Sequence, residues 1–182
     1  MIYPIVVYGN PVLRQQAEPI SQDYPQLSTL IDDMFKTLTK SGGVGLAAPQ
    51  IGLSIKLFIL DLSVMAEDDP MYATFKKVFI NPEITNFSAE TEITEEGCLS
   101  VPGLSERVKR SLSVTIKYLD QNWQEHTETY HGFPARAIQH EYDHLLGTMY
   151  VDKISPIRKQ LVSSKLNAIA KGKVSCHYKV KR

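Results

Sequence analysis

Residues 111–147 read SLSVTIKYLDQNWQEHTETYHGFPARAIQHEYDHLLG, and three changes of pattern occur inside this stretch. Leu112, Val114, Ile116 and Tyr118 alternate with polar residues over 111–119, the period of a half-buried strand. DQNW supplies turn residues, and QEHTETYHG (124–132) reads as the antiparallel partner. The pattern then becomes helical over 133–146. Pro134 suits the first helical position and Gly147 the residue just past the end. A hairpin feeding directly into a helix places the chain among α+β folds.

The flanking segments fit that class. PQLSTLIDDMFKTLTK (25–40) carries Leu27, Leu30, Ile31, Met34, Phe35 and Leu38 at helical spacing, with Ser21 or Asp23 as the cap and Gly42–Gly43 as the stop. SIKLFILDL (54–62) reads as a buried strand, residues 63–77 as a polar loop, and KVFINPEIT (77–85) as a strand limited by Pro82. EEGCLSVPG (95–103) reads as a short strand ending at Pro102–Gly103. Ser155–Pro156 opens a final helix that stops at Gly172. With 182 residues the chain has room for one domain, 1–182.

At 43% apolar and 22% charged residues the composition excludes disordered and fibrous classes. MIYPIVVYGNPVLRQQ has no basic region followed by a long apolar run, so it does not read as a secretion signal, and no stretch is long enough to span a membrane. The expected location is the cytoplasm, where Cys98 and Cys176 would stay reduced. From Lys153 to Arg182 there are nine Lys and Arg and no Asp or Glu, leaving 20 acidic and 11 basic residues before them. Such asymmetry suggests an anionic partner for the tail or a solvated terminal helix.

Within the quoted stretch, residues 140–144 read HEYDH. His140 and His144 lie about 40° apart on a helix, so both imidazoles reach one ion. Glu141 lies about 100° from His140, where it can flank the ion and exchange a proton with water activated there. A third ligand is needed. The pattern HExxHxxGxxH has Gly147 in place, but Tyr150 stands where the last histidine belongs. No glutamate follows Glu141, which removes the His₂Glu arrangement. Upstream candidates are Cys98, His126 and His131. Cys98 suits Zn²⁺ or Fe²⁺ best as a thiolate, and Gly97 before it permits a close backbone approach. A buried apolar thiol is the other reading of Cys98.

GVGLAAPQ (43–50), EGCLS (96–100) and HEYDH (140–144), in that order, resemble the three signature motifs of peptide deformylases. The resemblance spans nearly the whole chain. It implies removal of the formyl group from the formyl-methionine of new polypeptides, and a divalent ion, Fe²⁺ in the cell, with Zn²⁺, Ni²⁺ or Co²⁺ also able to fill the site. It further implies Cys98, His140 and His144 as ligands and Glu141 as acid/base. Gln50 and the backbone N–H of Leu99 would face the developing oxyanion. Val44, Gly45 and Gly97 would lie along the substrate backbone. The fold expected is α+β, mostly antiparallel sheets packed around a central metal-binding helix, with a basic C-terminal helix and tail from about 153.

Phe133 and Ala137 lie along the His140–His144 face and can line a pocket for an unbranched side chain such as methionine; core packing is the alternative. Arg136 is near the same face and is expected to snorkel to the pocket mouth. Asp143 is expected to be partly buried against a cation, with Arg110 as the nominee. Ile157, Leu161, Leu166, Ala168 and Ile169 are expected to dock the last helix, leaving its basic residues, extended by Lys173, Lys179, Lys181 and Arg182 of the tail, to meet ribosomal RNA weakly and without sequence preference. Competing classes are a metalloendopeptidase, which needs one of the missing closing ligands, and a domain with a closed structural zinc site, which needs His126 or His131.

Overall fold

The computed structural model describes residues 1–182. In chain order the regular elements are β1 (Ile5–Val6), α1 (Leu27–Ser41), β2 (Gly45–Ala47), β3 (Leu57–Asp61), β4 (Lys76–Phe87), β5 (Thr91–Gly97), β6 (Ser105–Ser111), β7 (Ser113–Leu119), β8 (Glu125–His131), α2 (Gly132–Leu145), α3 (Pro156–Ala170) and β9 (Val180–Lys181). Strands β2, β3, β4, β7 and β8 form one antiparallel sheet in that order, β5 and β6 form a separate hairpin, and β9 pairs in parallel with β1.

The run Leu57-Phe58-Ile59-Leu60 is apolar throughout because β3 is covered on both faces. Leu57 and Ile59 pack with Leu30, Met34 and Leu38 of α1. Phe58 and Leu60 pack with Ala135, Ala137, Ile138 and Leu145 of α2, together with Phe79, Val114 and Ile116. Each Leu, Ile, Val, Met or Phe side chain among them contributes about 1.5–3 kcal/mol by leaving water. Helix α2 is thereby fixed on the sheet by one face, while Arg136 on its other side reaches carbonyls of the β5–β6 hairpin. A third apolar group joins Val162, Leu166 and Ile169 of α3 to Val108 of β6 and to Val101 and Leu104.

The expected α+β order is present, with several boundaries moved. Helix α1 starts at Leu27 after Gln26 in the left-handed region, and Ser21 bonds Asp23 instead of capping it. Pro134 is the third helical residue of α2, because Gly132, at φ 60°, turns β8 straight into the helix. Strand β4 continues past Pro82 to Phe87 through register shifts on either side of Glu83–Ile84. The strand expected at 95–103 ends at Gly97, and the chain turns over the next six residues. Strand β6, SERVKRS, has no apolar alternation to reveal it: Glu106, Val108 and Arg110 point inward, and the two charges are neutralised by distant partners. Ile157 and Leu161, expected to dock α3, are 72% and 65% exposed.

Candidate metal centre

Two elements deliver the site. Helix α2 presents His140 and His144 one turn apart, with ring centroids 5.2 Å apart. The turn after β5 brings Cys98 to them, its Sγ 3.3 Å from His144 Nε2. Donor atoms of Cys98, His140 and His144 all lie within 4.8 Å of one another. A thiolate and two imidazoles suit Zn²⁺ or Fe²⁺, and three protein donors leave a position open for chemistry. The orientation of His140 fits as well: its Nδ1 is taken by Glu96 Oε2 at 2.9 Å, so Nε2 faces the cluster. Burial lowers His144 well below the usual histidine range, with His140 adding to the effect; at His140 burial acts the same way but hydrogen bonds with Cys98 and Glu96 raise it above that range, so the neutral form is favoured at His144 and not at His140. His126 pairs with Asp120 at 2.8 Å and the exposed His131 precedes α2, so neither joins the cluster.

Glu96 is the hub behind the cluster. It accepts from Arg110 Nε and Nη2 at 2.9 and 3.0 Å, from Arg136 Nη1 at 2.7 Å and from His140. Burial alone would raise its pKa, but the hydrogen bonds from His140 and Arg110 hold it well below the usual carboxylate range. Arg110 also pairs with Asp143, the partner expected for it. Arg136 departs from expectation. It is buried, tied to Glu96 and to the carbonyls of Val108 and Glu92, and does not snorkel.

Glu141 is 5% exposed, and its Oε2 has no hydrogen-bond partner. Burial pushes its pKa up to about 7. Gly45 lies against it: a Cβ there would stand 2.8 Å from Cδ and Cγ of Glu141. Gln50 is held in one orientation, its Oε1 accepting from the Ala47 N–H at 2.8 Å. Its Nε2 is thereby aimed at Cys98 Sγ, 3.5 Å away, and Ser100 Oγ, 3.2 Å away. The Leu99 N–H has no intramolecular acceptor.

These groups open on a cavity of about 480 Å³, which Val44, Gly45, Gly97, Phe133 and Ala137 also line. Gly97 is not crowded: a Cβ would make an ordinary 3.4 Å contact with Ser105 Oγ, so the close approach expected there is not what glycine provides. Tyr150, at the position of the absent third histidine, stacks beside His140 at 6.0 Å and donates to the Leu104 carbonyl. A wider groove of about 1230 Å³ along α1 contains no cysteine or histidine. Sequence reasoning missed Glu96 as hub, although it adjoins Gly97–Cys98, and missed His177 and Tyr178, which line the cavity and carry no motif.

Fold and site together define the class of a candidate metal-dependent hydrolase, in which a helical HExxH pair and a cysteine from a turn could hold one ion. The family model for polypeptide deformylase matches residues 2–160. The peptide deformylase of Christiangramia forsetii is 46% identical over 188 residues, covering 100% of this chain and 96% of the relative. The crystal structure of a peptide deformylase from Legionella pneumophila superposes with a TM-score of 0.82 at 37% identity, covering 95% of this chain and 98% of that one. A Met-Ala-Ser-bound class I type b peptide deformylase from Acinetobacter baumannii has a TM-score of 0.76 at 36% identity, covering 85% and 99%. The chain belongs to the polypeptide deformylase family, metal-dependent hydrolases that remove the N-terminal formyl group from nascent peptides.

Proposed function

We propose that Cys98, His140 and His144 hold the ion and that Glu141 is the acid/base for hydrolysis of the formyl amide, releasing formate. One observation carries this assignment: a buried carboxylate with an unpartnered oxygen stands beside the three donors. When bound, the ion supplies Lewis acidity to water and to the formyl oxygen. Glu141 takes a proton from the attacking water and returns it to the departing amine, so one group serves both transfers. Gln50 Nε2 and the Leu99 N–H donate to the oxygen as it becomes negative, each contributing a few kcal/mol by analogy with other oxyanion donors. Val44, Gly45 and Gly97 lie along the peptide backbone, and Phe133 and Ala137 receive the methionine side chain.

Fe²⁺ is the proposed ion in the cell, in keeping with the family resemblance; Zn²⁺, Ni²⁺ or Co²⁺ can replace it after purification. Anaerobic purification with metal analysis, followed by formate release from formyl-Met-Ala-Ser, tests the assignment. Glu141→Gln should keep the metal and lose activity by about 10²–10⁴-fold. Metal loss in that variant would mark Glu141 as a ligand and refute its acid/base role.

The cytoplasm is the proposed location, in keeping with two free cysteines and with substrates made on ribosomes. No helix is long and apolar enough to cross a membrane. Weak ribosome docking through α3 is proposed as a partner interaction, favoured by exposed Ile157 and Leu161 beside Lys165. The free charge is smaller than the composition suggests, since Arg158 pairs with Glu106 and Lys159 with Asp152. Co-sedimentation with ribosomes at low and high salt should weaken for a Lys165→Glu/Lys171→Glu variant. Equal sedimentation of variant and wild type would end the proposal.

A further inference from the structure

The C-terminal tail does not hang free. Beyond α3 the chain turns at Gly172, and Arg182 returns to donate to the Lys171 carbonyl at 3.0 Å. Strand β9 is zipped to β1, with Ile5 N–H donating to Lys179 O at 2.8 Å and Val7 N–H to Lys181 O at 3.0 Å. The next residue, Tyr8, donates to Ser100 O at 2.8 Å. Between these anchors lie His177 and Tyr178, and both line the cavity that holds Cys98 and Glu141.

The two residues bond the backbones of two segments that line that cavity and touch where Gly43 lies against Leu99. His177 Nε2 donates to Ser41 O at 3.1 Å, at the end of α1 just before Gly42–Gly45. Tyr178 Oη donates to Leu99 O at 2.8 Å, one residue past Cys98. The tail is therefore a strap that joins the Ser41–Gly45 segment to the Cys98–Leu99 segment. It lies beyond the residues matched by the family model. The strap also has a definite end of the cavity. Tyr178 packs on the α1 side of the sheet with Leu99, while Phe133 packs on the α2 side. With the methionine side chain at the Phe133 end, the strap is left beside the peptide that follows it.

We propose that His177 and Tyr178 are positioning residues for the part of the substrate downstream of formyl-methionine, fixing the relative position of the two segments along which an extended peptide of any sequence is received. This rests on the deformylase reading of the cavity. Backbone pairing along fixed segments is blind to side chains, which suits substrates that vary after the first residue.

The test uses the metal-loaded full chain and the variants Tyr178→Phe, His177→Ala and His177→Gln. Tyr178→Phe keeps the ring and removes only the donor; His177→Gln restores a donor that His177→Ala lacks. Two substrates are compared, formyl-Met and formyl-Met-Ala-Ser, and Met-Ala-Ser binding is followed by calorimetry. Losing one hydrogen bond corresponds to about 3- to 10-fold in an equilibrium. The ratio of kcat/KM for the tripeptide to that for formyl-Met should fall by about that factor in Tyr178→Phe and His177→Ala. The loss should sit in KM, Kd for Met-Ala-Ser should rise in parallel, and His177→Gln should recover most of it. An unchanged ratio, including equal losses on both substrates, or an unchanged Kd would overturn the proposal. Absence of formate release by the wild type would instead refute the deformylase reading, and the calorimetric comparison would then decide the role of the strap alone.

Discussion

Replacing Gly45 by alanine sets a Cβ 2.8 Å from both Cδ and Cγ of Glu141 and against its Oε1, where ordinary contact needs at least 3.4 Å. The carboxylate must give way by roughly half an ångström to one. The backbones on either side cannot share the displacement. Gly45 is paired with Leu60 on the edge strand β2, where it is buried, and α2 is pressed onto that sheet by Ala137, Ile138 and Leu145. The Glu141 side chain therefore turns away from the reacting water. A misplacement of about 1 Å costs about 10²-fold, and full loss of a positioned acid/base costs about 10²–10⁴-fold. At about 1.36 kcal/mol per tenfold, the barrier rises by about 3–5 kcal/mol. The fold loses less, about 1–3 kcal/mol for overpacking, because the crowded atoms are the end of a side chain. Formate release, metal content and thermal unfolding should be measured on the same preparation. The expected result is full metal occupancy, Tm lower by several degrees and kcat reduced at least 100-fold. Gly43→Ala is the comparison: its Cβ meets Leu99 Cδ1 and Leu38 Cδ1 at 3.0 and 3.1 Å, flexible methyl ends, with Leu99 Cγ at an ordinary 3.4 Å, and should cost less than tenfold. If Gly45→Ala kept kcat within about threefold at full metal occupancy, Gly45 would not determine where Glu141 stands, and the reasoning would be refuted.

Cys98→Ser should lose most bound metal with the fold largely retained, since serine keeps nearly the same volume against the Val101–Leu104–Tyr150 apolar group; full metal content measured by mass spectrometry would remove Cys98 from the ligand set. Glu96→Gln leaves Arg110 and Arg136 buried without their shared carboxylate and should lower stability by about 3–5 kcal/mol, read as a fall in Tm. An unchanged Tm would show that the two guanidiniums do not depend on Glu96. Glu128 accepts from Tyr118, Tyr130 and Lys77; burial would raise its pKa, but those bonds bring it to about 2. Its folded pKa is below the unfolded value, so its contribution is present above about pH 4.5 and is lost as pH falls toward 2. Because the side chain is about a third exposed, the contribution is small, below about 1 kcal/mol. The gap in unfolding free energy between wild type and Glu128→Gln should shrink from pH 6 to pH 2.5, and a constant gap would contradict the cluster.

Local pattern determined much of this protein. Alternation over 112–118 marks β7, helical spacing marks α1 and α2, and Gly42, Gly147 and Pro156 stand where helices stop or start. These signals are legible because an apolar face must be buried wherever the element packs, so the face is written into the period of its own residues. The candidate chemistry of Glu141 and the two histidines is readable for a similar reason: residue type and spacing on one helix limit what can bind, whereas Cys98 reaches them from the turn after β5. Tertiary structure alone decided the rest. Arg136 has the character of a residue reaching toward solvent, yet it is buried on Glu96, forty residues away. Strand β6 hides Glu106 and Arg110 against partners on α3, β5 and α2 and so shows no apolar period. His177 and Tyr178 hold carbonyls 136 and 79 residues distant. A buried charge or a lone donor is stable only beside its complement, and the complement is supplied by the folded chain rather than by neighbouring residues.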